Sequence, residues 1–124
     1  MHEKDFQRLF SRANNISGVF ELKLVKTKSL AYSKVETHQI QSLLAANTEK
    51  GCAYKFSDMS IDKKPFDCFR ISNYTAYIVV LYYVPRKTKI AYYIPIKLFV
   101  ENVGPGQGLN EDTAKKLSEH VIAL

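Results

Sequence analysis

A chain of 124 residues with 46% hydrophobic content holds one compact core and is too short for two ordinary domains. Its net charge of +6, from 18 Lys and Arg against 12 Asp and Glu, favours an anionic partner by long-range attraction, nucleic acid first. The charged start Met1-His2-Glu3-Lys4-Asp5 has no apolar h-region, and the longest apolar run, residues 76–84, is about half the length of a membrane-spanning helix. A cytoplasmic protein without membrane attachment is therefore expected.

The first element is a short amphipathic helix over residues 3–13, with Phe6, Leu9 and Phe10 on one face, ended by Asn14-Asn15 and Ser17-Gly18. Residues 19–25 alternate as a strand: Phe20, Leu22 and Leu24 point one way, and Glu21 and Lys23 point the other. Ser33-x-x-Glu36 has the form of a capping box, and Ile40, Leu43 and Leu44 give an apolar stripe before Gly51, so a helix is predicted over residues 34–49.

Three strands are predicted next, at 52–56, 66–71 and 74–84; the last, nearly all apolar, is expected at the centre of a sheet. The intervening Asp58 and Asp62 read as turn residues. A turn at residues 85–88 leads into a strand over 89–100, which Pro95 confines to an edge or a bulge. After the glycine-rich loop 104–108, Asn110 caps a final helix in which Ala114, Leu117 and Val121 form the buried stripe. The order α, β, α, several strands, α predicts one α/β domain with a mixed central sheet flanked by helices. Cys52 and Cys68, without a Cys-x-x-Cys pair or nearby His spacing, read as reduced core thiols.

The segment with most chemical content is Phe20-Glu21-Leu22-Lys23-Leu24. A carboxylate and an ammonium two residues apart on a strand share a face and reach one small site. Phosphodiester cleavage uses such a pair, the carboxylate holding Mg²⁺ and the lysine standing near the attacking water or the charge developing on phosphorus. As a bare pattern, Glu-x-Lys equally describes a solvated strand face.

The segment continues through Val25-Lys26-Thr27-Lys28-Ser29 to Thr37-His38-Gln39-Ile40 on the following helix. With that context the chain resembles the PD-(D/E)xK nucleases, and among them the Holliday-junction resolvases of the RecU type, over residues 19–56. The resemblance implies a restriction-endonuclease-like fold and an Mg²⁺- or Mn²⁺-dependent endodeoxyribonuclease acting on branched or duplex DNA, often as a homodimer. It makes Glu21 the metal-binding acid and Lys23 the catalytic lysine. It also places Gln39 on the helix face turned to the site, where it positions water or phosphate or is simply a solvated first-turn residue. His38 reads as a local cap or packing partner. Glu3 matches an acid found in some resolvases of the superfamily and otherwise reads as a surface glutamate.

These nucleases place a further Asp on a strand before the Glu-x-Lys strand, and no such strand fits between residues 14 and 18. The replacement is Asp67 in Pro65-Phe66-Asp67-Cys68-Phe69-Arg70-Ile71, where alternation puts it on the face of Phe69 and Ile71. A carboxylate on an apolar face needs a cation or hydrogen bonds to satisfy it, and a metal shared with Glu21 would do so. Asp67 is thus expected as second metal ligand from a neighbouring strand, or else as a partner of backbone N–H groups, Arg70 or Lys64.

Three basic groups are candidate DNA contacts: Lys26 and Lys28 with Lys34, then Lys63 and Lys64, then Arg86, Lys87 and Lys89. The tyrosines at 74, 77, 82, 83, 92 and 93 read mainly as sheet and core residues, one or two of them available to stack on unpaired bases. The competing expectation is a DNA-binding or scaffold protein that keeps the nuclease-like sheet without a working metal site.

Overall fold

The computed structural model of the chain describes residues 1–56 and 65–124, and those elements form a mixed α/β architecture. Helix α1 (Glu3–Ala13) and strand β1 (Val19–Val25) occupy the segments expected from their periodicity. They are followed by β2 (Ser29–Ala31), a 3₁₀ turn at Tyr32–Lys34, α2 (Thr37–Ala46), β3 (Cys52–Lys55), β4 (Cys68–Ile71), β5 (Ala76–Tyr82) and β6 (Ile90–Pro95). The chain closes with α3 (Ile96–Asn102), β7 (Gly108–Asn110), α4 (Glu111–Leu117) and β8 (His120–Ala123).

The main sheet has the order β1-β5-β6-β8, with β1 parallel to β5 and the other pairs antiparallel. A parallel pair requires a crossover, and the chain between β1 and β5 supplies one that includes α2. All seven residues of β5 are buried, as a strand covered on both faces requires. Ile78, Val80 and Tyr82 join Ile40 and Leu43 of α2 and Ile96 and Phe99 of α3 in one core layer. Tyr77, Val79 and Leu81 join Phe6 and Phe10 of α1 and Tyr93 in the other.

That second layer is aromatic, with Phe10 and Phe20 centroids 5.2 Å apart and Phe20 stacked on Tyr77 at 5.7 Å. The buried phenols find acceptors: Tyr93 donates to Asn14 Oδ1 at 2.8 Å, and Tyr92 to Glu111 Oε2 at 2.9 Å. Burial, reinforced by Glu111, pushes the Tyr92 phenol up to about 12.

Several elements differ from the sequence expectation, each for a tertiary reason. Helix α2 begins at Thr37, not near residue 34, because Val35 is pulled into the core in extended conformation after the 3₁₀ turn. The cap also shifts: the Glu36 backbone N–H donates to Gln39 Oε1 at 3.0 Å. At the far end α2 stops at Ala46, where its last carbonyls accept from the approach to β5, Tyr74 N–H to Ala46 O at 3.0 Å among them.

Strand β6 is interior, between β5 and β8; Pro95 stands at its end and N-caps α3, so residues 96–100 are helical where strand was expected. Val121 lies on β8, half exposed, instead of completing a helical stripe, although Asn110 does cap α4 by accepting from Thr113 N–H at 2.9 Å.

The largest difference concerns β3 and β4. They pair only with each other, antiparallel, as a separate ribbon beside the main sheet. Cys52 and Cys68 lie on it, half-buried and exposed respectively, and are free thiols outside the core. The ribbon is tied down at Gly51, whose φ of 67° suits glycine and where a Cβ would collide with the Ile71 carbonyl.

Candidate functional site

β1 is an edge strand, and its register decides where its charges go. Glu21 and Lys23 pair with Ile78 and Val80, which fixes them on the α2 face of the sheet, while Phe20, Leu22 and Leu24 pack toward α1. An interior strand would force these charges into the core; at the margin they remain reachable. Lys23 is 13% exposed and Glu21 28%.

Gln39, on the first turn of α2, reaches across to this pair. Its Nε2 donates to Glu21 Oε1 at 2.8 Å, and Lys23 Nζ stands 3.5 Å from the same oxygen. Since Gln39 Oε1 is held by the Glu36 N–H, both ends of the amide are committed, which orients the carboxylate. Glu21, Lys23 and Gln39 are therefore brought together. His38 instead pairs locally with Glu36, Nδ1 to Oε2 at 3.1 Å, on the surface.

Glu21 opens into a cleft of about 400 Å³ walled by α2 (His38, Gln39, Ser42) and by the ribbon (Tyr54, Phe69, Ile71). Lys23 faces a second cleft of about 380 Å³, lined also by Lys26, Thr27, Ser29 and Lys34. Glu3, from the first turn of α1, is exposed, as read from the sequence, and lines that basic cleft too.

β4, which Asp67 precedes, is not β1's neighbour in the sheet; that neighbour is β5. Asp67 is exposed, one residue before β4, and its carbonyl accepts from Phe56 N–H at 3.0 Å, which continues the β3–β4 ladder. Phe69 and Ile71, which alternation places on the same ribbon face as Asp67, do line the Glu21 cleft. Among the described residues no cluster of three His, Cys, Asp or Glu forms a ready metal cage. Lys63 and Lys64, with Asp58 and Asp62, lie outside the described residues.

The remaining basic residues gather at one end of the sheet. Lys26 and Lys28 follow β1, and Arg86, Lys87 and Lys89 follow β5, which runs parallel to β1, so both turns leave the same end of the sheet. Tyr83 N–H donating to Val25 O at 2.8 Å holds these strand ends together. Of the tyrosines considered for base stacking, Tyr77, Tyr82, Tyr92 and Tyr93 are buried, while Tyr74 is exposed. No described helix is long and apolar enough to cross a membrane.

Comparison with protein-family models, curated proteins and solved structures finds no match.

Proposed function

We propose that the protein is a divalent-metal-dependent endodeoxyribonuclease of the PD-(D/E)xK kind, with a restriction-endonuclease-like arrangement around Glu21, Lys23 and Gln39. The observation that carries this reading is the convergence on one carboxylate oxygen of an amide at 2.8 Å and an ammonium at 3.5 Å, at the edge of a sheet and facing an open cleft. A solvated surface pair would need no such buttress from a helix 18 residues away in sequence.

Glu21, at an open cleft, is the kind of donor Mg²⁺ takes, since that ion is commonly held by one or two carboxylates together with waters and substrate phosphate. Glu21 would supply one carboxylate and Asp67, from the ribbon, the second. The bound ion would supply Lewis acidity and a more acidic water. Gln39 fixes the direction of the Glu21 carboxylate. Lys23, little exposed and therefore weakly screened, stabilises negative charge on the phosphorus oxygens and on the departing 3′ oxygen. Lys26 and Lys34, in the adjoining basic cleft, hold flanking phosphates. Branched DNA in the cytoplasm is the substrate we assign, and a homodimer would set two such sites on opposing strands.

The test is cleavage of nicked, branched and linear DNA with Mg²⁺, alongside calorimetric Mg²⁺ binding. Glu21→Gln and Lys23→Met are expected to lower cleavage by about 10²–10³-fold while duplex binding persists. Asp67→Asn is expected to weaken Mg²⁺ binding by at least about tenfold, and Glu3→Gln, as the control acid, by less than about threefold. DNA binding without cleavage, with Mg²⁺ affinity indifferent to Glu21 and Asp67, would instead establish a non-catalytic DNA-binding protein.

A further inference from the structure

The β3–β4 ribbon has two unlike faces. Tyr54, Phe56 and Phe69, with Phe66 beside them, form a continuous aromatic set with ring centroids 5.1–6.4 Å apart. Lys55 alternates onto the opposite face and is exposed. Packing four rings together would ordinarily serve to bury them. Here Tyr54 remains 42% exposed and Phe66 53%.

The rings border a trough that leads to Glu21. A cleft of about 480 Å³ between the ribbon and residues 16–19 is lined by Phe66, Phe69, Arg70 and Tyr74. It shares Val19, Phe69 and Ile71 with the cleft that holds Glu21 and Gln39, so the two adjoin between the start of β1 and the ribbon. Beyond Glu21 come Lys23 and then the basic cleft with Lys26 and Lys34. The order along β1 is aromatic, carboxylate, lysine. Its seven residues span roughly 23 Å, the length of about seven nucleotides at the stacked spacing of about 3.4 Å.

From this order we infer that the trough takes a single DNA strand: phosphates lie on the lysine side of Glu21, and unpaired bases stack on Tyr54 and Phe66 on the other. A fully paired duplex offers no free base face to those rings, whereas a fork, flap or opened junction does. A positive protein with aromatic rings beside a phosphate-holding cleft has the chemistry that binds unpaired nucleotides, each stacked base contributing by affinity rather than by sequence. The inference rests on the nuclease reading for the position of the scissile phosphate, and the substrate class it names is DNA with an unpaired strand next to that phosphate.

The test uses the full chain in EDTA, with anisotropy of a labelled 20-nucleotide oligothymidylate and of a blunt 20-base-pair duplex. Tyr54→Ala combined with Phe66→Ala, both exposed positions, is expected to weaken oligothymidylate binding by at least about tenfold, the loss of one or two stacked bases, and duplex binding by less than about twofold. Tyr54→Trp is expected to keep the affinity. Because the chain contains no other tryptophan, quenching of its fluorescence by oligothymidylate reports stacking directly.

Equal losses on both DNAs, no loss on either, or an unquenched tryptophan would overturn the inference. So would light scattering showing that the double variant turns a dimer into monomers with oligothymidylate affinity unchanged, since the rings would then be a self-interface. Absence of cleavage by the unmodified protein, with this discrimination intact, would remove the nuclease reading and leave the trough standing. Cleavage that depends on Glu21 without the discrimination would do the reverse.

Discussion

Replacing Gln39 by Ala removes two hydrogen bonds of different kinds, and the structure separates their contributions. The bond from Nε2 to Glu21 Oε1, at 2.8 Å, is charge-assisted and in a dry site would contribute about 1.5–3 kcal/mol. With Glu21 28% exposed, solvent reduces this to roughly 1 kcal/mol. The bond that Oε1 accepts from the Glu36 N–H at 3.0 Å caps α2 and contributes about 1 kcal/mol more. Gln39→Ala should therefore cost about 2 kcal/mol by urea unfolding. In a double-mutant cycle with Glu21→Ala, about half of that should appear as coupling.

Gln39→Glu offers an internal control, since its carboxylate still accepts from Glu36 but meets Glu21 with like charge. It should be less stable than the parent at neutral pH. Cleavage by Gln39→Ala should fall about 10–100-fold, as expected for a residue that positions a metal-holding group. The reasoning would be refuted if the two substitutions were additive within about 0.3 kcal/mol, or if Gln39→Glu matched the parent in stability.

Lys26→Gln with Lys28→Gln removes two charges from the turn after β1, and should flatten the dependence of log binding constant on log salt by up to about 1.8 for duplex DNA. Arg86→Gln with Lys87→Gln, at the same end of the sheet, should act in the same direction; an unchanged slope in both would place the DNA elsewhere. Alkaline stability should follow the buried phenols. Tyr92 is raised from the model-compound value of 10.0 to about 12, chiefly by burial and then by Glu111, and burial also raises Tyr77, Tyr82 and Tyr93. Below pH 10 these groups are protonated in both folded and unfolded chains and their contribution is complete. As pH rises toward 12 the unfolded chain loses protons that the folded chain keeps, so stability falls, Tyr92 alone accounting for about 2–3 kcal/mol. Urea titrations from pH 9 to 12 should show Tyr92→Phe losing less stability than the parent, and an equal loss in both would refute the assignment.

Part of the site was legible because it depends on alternation within one strand. Glu21 and Lys23 share a face in any register, and the sequence places Gln39 on a helix soon after. Whether that helix presents Gln39 to Glu21 depends on where it begins, which the burial of Val35 decides. Asp67 illustrates the converse. Its alternation with Phe69 and Ile71 holds along the ribbon, but alternation carries no information about which strand lies alongside, and β4 joins β3 instead of β1.

Local periodicity, caps and composition were enough to determine α1, β1, the fully buried β5, the Asn110 cap and the mixed α/β class, because each is written in side chains a few positions apart. Tertiary structure alone decided that β3 and β4 form a separate aromatic ribbon, that Pro95 ends an interior strand, that Val121 belongs to β8, and that Glu3 and Lys23 line one cleft. Those outcomes rest on contacts between segments far apart in the chain, where short apolar runs fit several partners equally well and the choice falls to whichever packing buries the most surface with its backbone groups paired.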